Sequence, residues 1–392
     1  MRVTRSERRI GTLLLAAASL TAPLVGAEES DWPQFRRDPA LTGTVAAGPG
    51  PDLELRWSVP LGFSVESSPA VVDGFVYATS LPGVLVKLAL SDGAETWRYQ
   101  PGAAAIEADG FEDDLFGESS PAVADGAVFV GDLLGTLHAV DAAGGTPLWT
   151  FDTGAEIKAS PVVVGDLVLV GSYDEHFYGL DRKSGALRWK LQTEGPVHAT
   201  ASLHEGLAWI TGCDAILRGV RIHDGVEAAR FDSGAYTAAS PAIVAGVLHY
   251  GTFNNEVLAV DIAAGALRWR YEHPERHFPF YASAAVSGDT VIVAGRDKLV
   301  HALDRATGEA RWTFRARARF DASPAIAGGL VYAGNADGRL YVLDLGTGEQ
   351  RGEFHAGAPI MGSPAVTGSS VVFGAQDGAV FALGPKTDAA LR

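Results

Sequence analysis

Eight short stretches of this chain each put a serine at the head of an apolar run: Ser68, Ser120, Ser160, Ser202, Ser240, Ser283, Ser323 and Ser363. The residues two places before these serines are the first candidates for chemistry. They read Glu66, Glu118, Lys158, Thr200, Ala238, Tyr281, Asp321 and Met361. If the repeats close into a ring, three carboxylates, an amine and a phenol share one mouth, a mixture suited to a cation or a polar ligand. Calcium takes about six to eight oxygens, more than this set supplies, so no metal is expected there.

Two further stretches carry unusual side chains. Between Trp97 and Ser119 the chain runs about twelve residues beyond the usual repeat length, and the extra segment mixes acids with aromatics, including Asp109 and Phe116, as a binding lip would. His273 and His277 are four apart, but Pro274 and Pro279 oppose the helix that would align them for zinc. The aromatics of that stretch, Phe278, Phe280 and Tyr281, read instead as a recognition surface. Tyr173, Asp214, Phe253, Asn254, Arg296, Lys298 and Asn335 fall in turns expected on the same face. No Gly-x-Ser-x-Gly elbow, His-Glu-x-x-His, P-loop or Cys-x-x-Cys occurs, and no catalytic residue is assigned.

The elements that must position these residues follow from the spacing. Successive serines lie 52, 40, 42, 38, 43, 40 and 40 residues apart, the mark of a repeat architecture. Within the third unit, Pro161–Val164, Leu167–Gly171, Phe177–Leu180 and Ala186–Lys190 read as four short strands separated by Gly and Asp turns. The corner before the fourth strand repeats as Asp-x-x-x-Gly-x-x-x-Trp. Asp141, Asp181, Asp261, Asp304 and Asp344 are expected to cap their own turns. Trp97, Trp149, Trp189, Trp269 and Trp312 are expected to pack between neighbouring units. Four antiparallel strands per unit make a β-propeller blade. The fold class is therefore all-β: an eight-bladed β-propeller of four-stranded antiparallel blades. The eighth unit ends one strand short, and Leu55–Val59 is an orphan strand with a tryptophan, so the N-terminal strand is expected to complete the last blade. The fourth unit has Arg221, Ala229 and Leu203 where aspartate, tryptophan and proline recur, and the seventh has Gly352 in place of tryptophan; both read as repeat drift.

Residues 1–27 have a basic start (Arg2, Arg5, Arg8, Arg9), an apolar stretch and a small-residue site ending at Ala27, the pattern of a secretory signal peptide. The expected organisation is this leader, an extended segment over 28–52 and the propeller over 53–392, exported to the periplasm or beyond. The chain carries a net charge of −16, which loss of the basic leader makes more negative, so nucleic acid and anionic lipid are poor partners. No later stretch is long and apolar enough to span a membrane. The single cysteine, Cys213, permits no internal disulfide and sits far from any lipid-anchor position.

The Ala-Leu-Asp-x-x-Thr-Gly-x-x-x-Trp corner at 302–312, with its Ser-Pro-Ala strand starts, resembles the pyrroloquinoline-quinone (PQQ) type propeller repeat. Asp31-Trp32-Pro33-Gln34-Phe35-Arg36 is similar to the opening motif of exported propellers in that superfamily. The resemblance covers residues 31–384. It implies kinship with quinoprotein dehydrogenases, which use PQQ with a metal such as calcium, and with the periplasmic propeller of the outer-membrane β-barrel assembly machinery. Quinoprotein alcohol dehydrogenases carry a pair of adjacent cysteines and large insertions that this chain lacks. The resulting expectation is a non-catalytic binding propeller without a cofactor, taking an envelope protein or a small polar ligand on its funnel face. A PQQ-dependent alcohol or sugar dehydrogenase is the alternative.

Overall fold

The structure, a computed structural model, describes residues 31–81, 83–101 and 118–387. The leader expected over 1–27 lies outside the described residues, as do Asp109 and Phe116. Eight four-stranded antiparallel sheets follow one another along the chain. In the third blade the strands are Val162–Val164, Leu167–Gly171, His176–Asp181 and Leu187–Gln192, within two residues of the runs read from the sequence. The eighth blade closes as the strand count requires. Leu53–Pro60 pairs antiparallel with Ala379–Pro385, with Trp57 opposite Ala382 and Val59 opposite Val380.

Blades are joined in two ways, one outside and one inside. On the outside, each corner tryptophan donates its indole N–H to a carbonyl of the next blade: Trp57 to Leu90, Trp97 to Ala142, Trp149 to Arg182, Trp189 to Ile222, Trp269 to Arg305 and Trp312 to Leu345. The corner glycine of that next blade lies flat on the indole. A Cβ at Gly93, Gly145, Gly185, Gly225, Gly308 or Gly348 would sit between 2.5 and 2.9 Å from the ring. These glycines also have positive φ, so both the turn and the close approach exclude a side chain.

The two irregular units are accommodated by local packing. In the fourth blade Ala229 leaves an indole-sized gap, and Trp209 from the second strand fills it, its ring 3.0 Å from a Cβ built on Gly219. The following corner glycine, Gly265, accordingly has nothing within 4 Å. In the seventh blade a side chain at Gly352 would strike the Pro51 carbonyl oxygen at 2.2 Å, so glycine there lets the N-terminal chain pass.

On the inside, a ring of hydroxyls links all eight blades. The backbone N–H of Ser68 donates to Ser120 Oγ (3.0 Å), Ser120 to Ser160, Ser160 to Thr200, Thr200 to Ser240, Ser240 to Ser283, Ser283 to Ser323, Ser323 to Ser363, and Ser363 back to Ser68. The fourth member is Thr200, not the Ser202 read from the sequence. Ser202 instead lies two residues further on, as the first residue of the inner strand, its buried Oγ without a partner. With Thr200 in register, the spacings of 42 and 38 become 40 and 40, and the residue at the strand-proline position is Ala201 rather than Leu203.

Residues 31–45 run through the ring and occupy the exposed inner edges of the blades. Trp32 exchanges two backbone hydrogen bonds of 2.8 Å with Val71. The carbonyls of Pro33, Pro39, Ala40, Thr42 and Gly43 accept from Val123, Leu203, Ile243, Val286 and Ile326, so six blades are touched in turn. Thr44–Val45 then adds a parallel strand beside Ala325–Ala327. Arg36 is 1% exposed and donates to the Pro324 (2.5 Å) and Ala284 (3.0 Å) carbonyls. Burial lowers its guanidinium pKa to about 9, an effect that the Asp38 charge partly offsets.

The hydroxyl ring yields a paired test. Thr200→Val keeps shape but removes the acceptor for the buried Ser160 N–H and should destabilise by about 1–3 kcal/mol. Ser202→Ala removes a buried hydroxyl without a partner and should change stability by no more than about 0.5 kcal/mol. Urea denaturation of the two variants separates the assignments; equal losses would contradict the ring register.

Candidate functional site

The funnel opens above the hydroxyl ring. A cavity of about 210 Å³ is lined by Ser68, Ser160, Thr200, Ser240, Ser283, Ser323 and Ser363, with Phe35 of the N-terminal segment also in its wall. At the mouth stand Glu66, Glu118, Lys158, His198, Ala238, Tyr281, Asp321 and Met361. This is the ring expected from the sequence with one change. In the fourth blade His198, not Thr200, occupies the position two before the anchor, because the anchor itself is Thr200. The 42 and 38 spacings were the signal that could have exposed this histidine.

Glu118 organises one side of the mouth. Its carboxylate lies 3.7 Å from Lys158 Nζ and 3.4 Å from His198 Nε2, and it accepts from the Tyr281 hydroxyl at 3.3 Å. Tyr281 belongs to blade 6 and Glu118 to blade 2, so this contact spans the funnel. Burial opposes ionisation of Glu118. The hydrogen bond and charge of His198, with Lys158 and the Tyr281 hydroxyl, outweigh it and hold the carboxyl below its usual range. Tyr173 Oη is 2.6 Å from His198 Nδ1. Burial, with the nearby Cys213 and Glu118, raises the Tyr173 phenol pKa, so it stays protonated.

The other side is paired more tightly. Arg296 Nε binds Asp321 Oδ1 at 2.5 Å, and Arg319 Nε binds the second oxygen at 2.6 Å. The Arg296 guanidinium also lies 4.7 Å from the Tyr281 ring centroid. Burial, with Glu118 and Tyr173 next, raises the Tyr281 phenol pKa. Glu66 accepts from Ser64 and Gln376, each at 3.1 Å.

The remaining candidates divide by burial. Phe253 packs edge-on against Tyr281 and stays exposed, and Phe278, three residues before Tyr281, is exposed as well. Phe280 is not at the surface: it is 2% exposed, docked on the bare backbone of Gly251 and against His301, and serves the inter-blade core. Asp214 is held by Arg218 at 2.5 Å and caps its own turn through the Ile216 N–H. Asn335 is buried and caps a turn through the Asp337 and Arg339 N–H groups. Asn254 bonds the Gly234 carbonyl at 3.2 Å, and Lys298 is an exposed turn residue with φ 72°. Among the described residues no three His, Cys, Asp or Glu side chains converge as a metal site.

Comparison with known proteins gives the following. Residues 111–230 and 253–391 match the family described as outer membrane protein assembly factor BamB. The chain is 28% identical over 295 residues to the BamB of Xanthomonas campestris, covering 69% of this chain and 70% of that protein. It is 34% identical over 155 residues to the quinohemoprotein alcohol dehydrogenase ADH-IIG of Pseudomonas putida, but this spans 36% of the chain and 21% of that enzyme. The crystal structure of BamB from Moraxella catarrhalis superposes with a TM-score of 0.71 at 20% identity, covering 85% of this chain and 99% of that one, a likeness of fold.

Glu118 sets a pH dependence. A carboxyl whose pKa is depressed on folding binds fewer protons folded than unfolded, so its stabilisation exists above the usual value of 4.5 and is lost as pH falls below it. Glu118→Gln should lower the denaturation midpoint at pH 7, modestly because the side chain is 37% exposed. The difference from the parent protein should vanish as the pH falls below that value, which parallel urea titrations would record.

Proposed function

The chain belongs to the outer membrane protein assembly factor BamB family, and from that premise we propose that it is an exported, non-catalytic binding propeller offering its funnel face to a protein of the cell envelope. The observation that carries this reading is the rim. Phe63, Leu134, Tyr236, Phe253 and Phe278 are all exposed and lie in the loops between blades or between second and third strands, the loops that also carry the mouth residues. Exposed aromatics around a polar centre are what a protein interface needs, since a few such anchors carry most of its binding energy. The name of the relatives, outer membrane protein assembly factor, supports a partner of that assembly class. Among the described residues no helix is long and apolar enough to cross a membrane.

The second reading, a PQQ-dependent alcohol or sugar dehydrogenase, rests on the 34% identity to ADH-IIG. The funnel as it stands fits a planar tricarboxylate quinone poorly. Glu66, Glu118 and Asp321 already place three carboxylates around the mouth, and the Glu118–Tyr281 contact crosses it. The only cysteine, Cys213, is exposed.

Replacing Phe63, Tyr236 and Phe278 by serine should weaken crosslinking to the outer-membrane assembly machinery in the envelope about tenfold or more, with the denaturation midpoint unchanged. Undiminished crosslinking would remove the rim from the interface. In a second assay, purified protein mixed with PQQ and calcium should neither take up the quinone nor reduce a dye with an alcohol or sugar; turnover would replace this reading with the dehydrogenase.

A further inference from the structure

Glu118 is held differently from the other acids of the mouth. Asp321 is gripped by two arginines at 2.5 and 2.6 Å. Glu118 is approached by donors from three separate blades, Lys158, His198 and Tyr281, at 3.7, 3.4 and 3.3 Å. Well-formed charge-assisted bonds are shorter, about 2.7–2.9 Å. The donors therefore point at a carboxylate position that Glu118 fills loosely. Two of them are fixed from behind: His198 by the Tyr173 hydroxyl at 2.6 Å, and Tyr281 by the Arg296 guanidinium over its ring. Lys158 Nζ lies 5.2 Å from the Tyr173 ring centroid. Below them are hydroxyls that each accept one backbone N–H and keep a proton to donate.

We propose that Lys158, His198 and Tyr281 form a carboxylate-binding site, that Glu118 is its resident occupant, and that an external carboxylate binds by displacing it. The exchange replaces one negative charge with another, so the donors are never left buried and unpaired, which would be costly. The lowered pKa of the resident carboxyl agrees with a site built to hold this charge. The guest is either an acidic side chain of a polypeptide partner or a small free acid. The polypeptide source rests on the protein-binding reading above, whereas the site does not.

Because the internal occupant competes with any guest, removing it should reveal the site. Propionate, matching the deleted side chain, should bind Glu118→Ala saturably and at least about tenfold more tightly than the parent protein in calorimetric titration. Adding Tyr281→Phe or Lys158→Met should abolish the gain. Propionate binding no tighter than to the parent, or equally tight after Tyr281→Phe, would overturn the proposal. If Glu118→Ala loses its near-ultraviolet dichroism, the isosteric Glu118→Gln takes its place in the same titration. A short Asp-rich peptide and its Asn counterpart distinguish the sources. Binding of the Asp peptide alone to the parent protein identifies a polypeptide guest. Failure of both peptides, with propionate binding intact, identifies a small acid, and leaves the rim variants to judge the protein-binding reading separately.

Discussion

The constraint on which the molecule depends is the circle of backbone N–H groups at the heads of the inner strands. Each lies on the channel side of its blade, where its own sheet offers no acceptor. The next blade supplies one as a serine or threonine hydroxyl, eight times around the ring. A buried donor without a partner costs free energy, so blades are locked at a common height and the strand heads share one plane. The residues two places earlier must then stand in a circle of their own. The mouth is a consequence of the ring beneath it.

The outer contacts fix spacing as the inner ring fixes height. An indole that donates to the next blade and lies against a bare glycine leaves no room for sliding. Where the pattern fails, the structure compensates in part: Trp209 packs over Gly219 within the fourth blade without reaching the next corner glycine, Gly265, and the N-terminal chain passes at Gly352. The mouth can consequently vary in chemistry, with acids, a lysine, a histidine, a tyrosine, an alanine and a methionine at equivalent positions, while the backbone under it stays regular.

Much of this was legible in the sequence because the repeat imposes one answer many times. The corner aspartate, glycine and tryptophan recur in fixed order, and counting strands placed Leu55–Val59 in the last blade. The errors came where one residue type could serve two roles. Ser202 looked like an anchor because serine recurs there, and although the uneven spacing pointed to Thr200, the hydrogen-bond register identifies it; His198 was hidden behind that slip. Phe280 reads like its neighbours Phe278 and Tyr281; its burial depends on Gly251, about thirty residues away in the chain. The path of residues 31–45 had no local signature, since they satisfy edges belonging to six distant blades. The mouth acids and Lys158 were found by spacing alone. Their pairing across the funnel was not, because it depends on distances between blades.

The threading of residues 31–45 through the ring bears on how the protein is made. These residues leave the ribosome before their partners, which extend to Ile326, and the strand Leu53–Pro60 must wait for Ala379–Pro385. Such distant pairings form late and slowly. Until the last blade is synthesised the opening segment has nothing complete to occupy, so the nascent polypeptide remains an unclosed series of blades. A ring whose first and last strands must meet gains its closing contacts only when both ends of the propeller are present.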